Sequence, residues 1–82
     1  MSAPIEVRVR LTFPEPLVRE PVLARLARRF EVEPDIRRAN VEEDQGWIVC
    51  ELVGTAGALE AALDWLRGEG VGVDLLGDLL ES

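Results

Sequence analysis

The side chains of this chain that could carry chemistry are few. There is one cysteine, Cys50; there are two small groups of carboxylates, Glu33 with Asp35 and Glu42 with Glu43 and Asp44; and all nine basic residues are arginine. Histidine is absent, which removes the commonest general base and metal ligand. A single cysteine excludes an internal disulfide and a cysteine-cluster metal site within one chain. Cys50 is a candidate redox thiol, yet it alternates with Ile48 and Leu52, where a small buried hydrophobe serves equally well, and core packing is the simpler reading. Carboxylates flanking a turn are ordinarily solvated, so no metal site is expected at either group. The arginines carry no mechanistic weight by count, but Arg8 and Arg10 recur with Trp47 and Glu51 below.

These residues are positioned by a pattern of elements centred on IRRANVEEDQGWIVCELVG, Ile36 to Gly54. Two β-rich runs flank Glu43-Asp44-Gln45-Gly46, a short polar connection that predicts a hairpin. Before it, Ile5, Val7, Val9, Leu11 and Phe13 alternate with polar residues as a half-buried strand does, and Pro14 and Pro16 stop the run. Glu20-Pro21 opens a helix with Val22, Leu23, Leu26, Ala27 and Phe30 on one face and Arg25, Arg28 and Arg29 at its border. The clustered arginines suit the negative end of the helix dipole. A second strand begins near Val32, but Ile36 falls on one parity and Ala39 and Val41 on the other; a β-bulge at Arg37-Arg38 reconciles them. The third strand runs from Trp47 to Val53. Thr55 then caps a second helix with the stripe Leu59, Ala62, Leu63 and Leu66, ended by Gly68 and Gly70. Val71 to Leu75 is the last strand, and Leu79 and Leu80 make the tail apolar enough to dock.

The order β-α-β-β-α-β is the split βαβ, or ferredoxin-like, plan: an α+β sandwich of four antiparallel strands with both helices on one face. The chain is expected to be a single domain over residues 1–82, with its core at about 5–76 and a short C-terminal tail. The first and third strands lie at the centre of such a sheet. If Val7, Val9, Leu11, Ile48, Cys50 and Leu52 meet the helices, the open face carries Arg8, Arg10 and Thr12 beside Trp47, Val49 and Glu51. A tryptophan there is either a singly exposed aromatic or an anchor of an association surface, in which Trp and Arg are enriched. The interface candidates are Arg8, Arg10, Trp47, Val49 and Glu51, with Arg8 or Arg10 forming a cross-strand pair with Glu51.

Several chemistries known on this plan do not fit. An RNA-recognition sheet needs stacking aromatics on both central strands and a basic surface, whereas the net charge here is −7 and no nucleic-acid partner is expected. Pro14-Glu15-Pro16 lacks the paired cysteines of a metal carrier and the anion-cradling loop of an acyl-phosphate hydrolase. No enzyme activity and no cofactor are expected. No apolar run approaches the roughly 18 residues a membrane span needs, and Met1 to Pro4 has neither the basic start nor the apolar stretch of a signal peptide. A cytoplasmic protein without direct membrane insertion is expected.

With the elements placed, LTFPEPLVREPVLARLARRF, EVEPDIRRANVEEDQGWIVCELVG and ALEAALDWLRGEGVGVDLL together resemble the NIL domain, from about Val7 to Leu75. This is an ACT-like ferredoxin-fold module of methionine-import ABC transporter ATPases and of some ferredoxins. The resemblance rests on a proline before the first helix, Ile36 followed by Ala39, Gly46 at the hairpin, an apolar strand ending in Gly54, and Trp65-Leu66. It implies a regulatory, amino-acid-binding homodimer that senses methionine or a related sulfur amino acid. It places the ligand beside the second strand, near Asp35, Ile36, Ala39 and Asn40. Transporter forms often carry asparagine where this chain has Asp35, a carboxylate that suits an amino acid's ammonium and repels its carboxylate. No Walker A sequence and no iron-sulfur cysteines are present, so neither the motor nor the electron carrier is part of this sequence. A ligand-free interaction subunit, with a transporter or sulfur-metabolism protein as its partner, is the other reading.

Overall fold

A computed structural model describes residues 3–17, 20–42 and 44–76. The chain forms β1 (Ile5–Pro14), α1 (Val22–Phe30), β2 (Glu33–Val41), β3 (Gln45–Gly54), α2 (Ala56–Gly68) and β4 (Gly72–Leu75). The four strands make one antiparallel sheet in the order β2-β3-β1-β4, so β1 and β3 are central as the plan requires. In register, Val9 faces Cys50 across the ladder and Leu11 faces Ile48. Their side chains share one core with Val22 and Leu26 of α1 and Leu59, Ala62, Leu63 and Leu66 of α2. Both helices therefore cover the same face. Leu11, Leu26, Leu52 and Leu66 are fully buried, each such side chain contributing about 1.5–3 kcal/mol. Phe30 and Trp65 join the helices, with ring centroids 5.7 Å apart.

Local chemistry sets the boundaries. α1 starts at Val22, with Pro21 accepting the first helical bond from the Arg25 amide, and Glu31 ends it in the left-handed region at φ 56°. Thr55 caps α2 as its hydroxyl accepts from the Ala58 amide at 3.1 Å. Three expected edges shift. The hairpin connection is residues 42–44, not Glu43 to Gly46: the Glu42 amide donates to the Gln45 carbonyl at 2.8 Å, and Gly46 lies buried inside β3 between Val41 and Phe13. The ladder thus continues past the glycine. β2 starts at Glu33, since Val32 is turned into the core, and β4 starts at Gly72 because the Val71 amide is spent on the Leu66 carbonyl at the end of α2. Gly70 makes that turn at φ 96°. The expected bulge is present between Ile36 and Arg38. Leu79 and Leu80 of the tail, and Glu43 of the hairpin, lie outside the described residues.

Candidate functional site

The face of the sheet away from the helices is organised as rows across the strands. Asp35, Glu51 and Arg8 share one row; Arg38, Val49, Arg10 and Asp74 form the next; Asn40, Trp47, Thr12 and Gly72 form the third. Arg37 is the extra residue of the bulge. From the bulge its side chain reaches Glu51 on the central strand β3.

The result is a three-strand tie. Arg8 Nη2 donates to Glu51 Oε2 at 2.7 Å from one side, and Arg37 Nη2 donates to Oε1 at 2.9 Å from the other. Glu51 is only 8% exposed although it lies on the face away from both described helices. The hydrogen bonds from Arg8 and then Arg37 hold its carboxyl below the usual carboxylate range, burial opposing them. Reciprocally, Glu51 and then Asp35, whose Oδ2 is 3.4 Å away, raise the affinity of the Arg37 guanidinium for its proton. The register selects Arg8 rather than Arg10 as the cross-strand partner of Glu51. Arg10 instead lies over the Trp47 ring, 4.8 Å from its centroid, a contact worth about 0.5–1 kcal/mol at an exposed site. Trp47 is half-buried as a consequence.

The five interface candidates, Arg8, Arg10, Trp47, Val49 and Glu51, thus occupy adjacent rows of one surface. The four ligand candidates do not converge. Asp35 and Asn40 belong to the open face, in rows separated by that of Arg38, whereas Ile36 and Ala39 pair with Cys50 and Ile48 and belong to the helical face. The bulge is the reason, since an inserted residue puts positions three apart on one side. Ile36 is 53% exposed because the edge strand lies beyond the cover of the helices. Cys50 is buried, and its thiol is pushed up to about 11, first by burial and then by the charges of Asp35 and Glu51.

Two concavities border these residues. An apolar one of about 180 Å³, lined by Phe13, Leu17, Val22, Leu23, Val41 and Trp47 among others, lies at the hairpin end. A wider one of about 500 Å³ lies on the open face between Arg8, Arg37, Arg38, Val49 and Leu76. Sequence reasoning used Arg37 and Arg38 only to place the bulge; the same phase break was the signal that one of them turns toward the centre of the sheet. Among the described residues no cluster of His, Cys, Asp or Glu has the arrangement of a metal site, and no helix is long and apolar enough to cross a membrane.

Against known proteins, the family model described as the NIL domain matches residues 7–74. The chain belongs to the NIL domain family. This NIL domain is 33% identical over 63 residues to the methionine import ATP-binding proteins MetN of Helicobacter pylori strain J99 and Helicobacter acinonychis strain Sheeba, a match covering 72% of this chain. It spans 19% of the length of either relative. Among solved structures, it superposes on the C-terminal domain of an ABC transporter/ATP-binding protein from Enterococcus faecalis with a TM-score of 0.76 and 24% identity. That alignment covers 88% of this chain and 84% of the other, a likeness of fold. The ferredoxin-like plan and the family therefore agree with what the residues of the NIL domain imply.

Proposed function

We propose that this NIL domain is a cytoplasmic regulatory module of methionine import that senses methionine or a related sulfur amino acid as a homodimer and performs no catalysis of its own. The observation that carries this reading is the family match across residues 7–74, together with the likeness to proteins named as methionine import ATP-binding proteins. The open face supports it physically. Charged, aromatic and apolar groups lie side by side there on the face away from both described helices, and Asp35, at the edge, offers a carboxylate to an ammonium. A second copy across the same face would cover Trp47 and Val49 under two-fold symmetry, the commonest arrangement of a dimer.

The exposed apolar edge formed by Ile36 and Val41, 53% and 67% accessible, favours a second reading, an interaction subunit that binds a protein partner and no small molecule. Calorimetric titration of the purified protein with L-methionine separates the two. Saturable heat that weakens in Asp35→Ala supports sensing near β2. Absence of heat at millimolar methionine removes the sensing role and leaves the interaction subunit.

A further inference from the structure

The concavity on the open face is lined by basic side chains in a protein whose net charge is −7. Arg8, Arg37 and Arg38 line it, Glu51 is bound to the first two, and Asp35 stands at its edge beside Arg37. Glu6 also acts on Arg37, so three carboxylate charges face the three cations, and what the concavity offers an anion is hydrogen-bonding capacity. Donors remain to receive it, because each guanidinium carries five N–H groups. Arg8 and Arg37 meet Glu51 through one nitrogen each, and Arg38 makes no ion pair among the described residues. Val49 and Leu76 supply an apolar surface within the same concavity.

We propose that this concavity is a carboxylate-binding subsite. A ligand's carboxylate is received by the guanidinium donors of Arg38, Arg8 and Arg37, and a short apolar chain lies on Val49 and Leu76. In an α-amino acid the ammonium then falls to Asp35. The repulsion that Asp35 would exert on a carboxylate placed beside it is avoided, because the two charged groups of the amino acid are taken by different residues. The ammonium assignment rests on the amino-acid reading above; the carboxylate anchor does not. Glu51 is a positioning residue in this arrangement, since it fixes the two arginines and touches no ligand.

The test compares L-methionine, N-acetyl-L-methionine, which keeps the carboxylate and loses the ammonium, and L-methionine methyl ester, which does the reverse. Binding is followed by calorimetry on wild type and on Arg38→Gln, a variant that leaves the Glu51 tie intact. Charge-assisted hydrogen bonds are the strong ones, so both acids should bind, the ester should bind about tenfold or more weakly, and Arg38→Gln should weaken both acids to a similar degree with an unchanged melting temperature. If the ester binds as well as the acids, or Arg38→Gln binds them as wild type does, the subsite is wrong while the amino-acid reading stands. Binding of L-methionine without N-acetyl-L-methionine overturns the subsite in the same way. Binding of N-acetyl-L-methionine alone keeps the subsite and removes the amino-acid reading; binding of neither acid removes both. Inorganic phosphate binding more tightly than either acid overturns the assignment to a carboxylate.

Discussion

Glu51 keeps its charge on a central strand because two guanidiniums, brought from the strands on either side, occupy one oxygen each. The consequence for stability has a definite sign. The folded state favours the ionised carboxyl, so its pKa lies below that of the unfolded chain, near 4.3 for an ordinary glutamate. The stabilisation is complete above that pH and is lost as pH falls below it through the folded value. Urea midpoints measured from pH 7 down to pH 3 should fall in that window for wild type, whereas Glu51→Gln should start lower and change less. Parallel profiles for the two proteins would show that the tie contributes nothing to acid stability. Cys50, on the opposite face of the same strand, behaves in the contrary sense: burial favours the neutral thiol, which titrates at about 11. At pH 8 a thiol-disulfide reagent should react with native protein only as fast as the protein opens, and immediately in urea. Rapid labelling of the native protein would instead place the thiol within reach of solvent.

At the scale of elements, α2 illustrates how much local chemistry decides. Its cap hydrogen bond from Ala58 to Thr55 is in place, yet the first turn contains Gly57, where an added Cβ meets nothing within 4 Å. Gly57→Ala should therefore raise stability by about 0.5–1 kcal/mol, while Thr55→Ala should lower it by about 1 kcal/mol. Thermal or denaturant unfolding of the two variants checks both, and a destabilised Gly57→Ala would mean that the first turn is not helical in solution. Such features were legible in advance because they depend on neighbours in sequence: the alternation of β1, the stripe of α2 and the phase break at Arg37-Arg38 each have a local signature. The ends of β2, β3 and β4 were less legible. Gly46 looks like a turn residue, but pairing with Val41 and Phe13 on either side keeps it in the sheet. Val71 looks like the start of a strand, but the last turn of α2 claims its amide. The arginine concavity was hidden for the same reason, since only the pairing of three strands brings Arg8 and Arg37 to Glu51.

For the whole molecule, the test of the proposed homodimer is its response to a change at the open face. Trp47 and Val49 lie in adjacent rows there, and burying most of a tryptophan contributes a few kcal/mol at about 25 cal/mol per Å² of apolar surface, part of it offset by the entropy of association. Light scattering at micromolar concentration should find a dimer for wild type and a substantial monomer fraction for Trp47→Ser. A monomeric wild type removes the homodimer, and a Trp47→Ser variant that stays fully dimeric moves the contact to another surface, the exposed edge of β2 being the next to examine. The antiparallel pairing of β1 with β4 has a mechanical consequence as well. Val9 is opposite Leu75 and Thr12 is opposite Gly72, so the chain enters β1 and leaves β4 at the same end of the sheet, where the Leu76 amide donates to the Arg8 carbonyl at 2.9 Å. Ladder hydrogen bonds lie perpendicular to the strands. Tension applied through those two points therefore loads them one after another, and β4 peels away like a zip instead of resisting in shear.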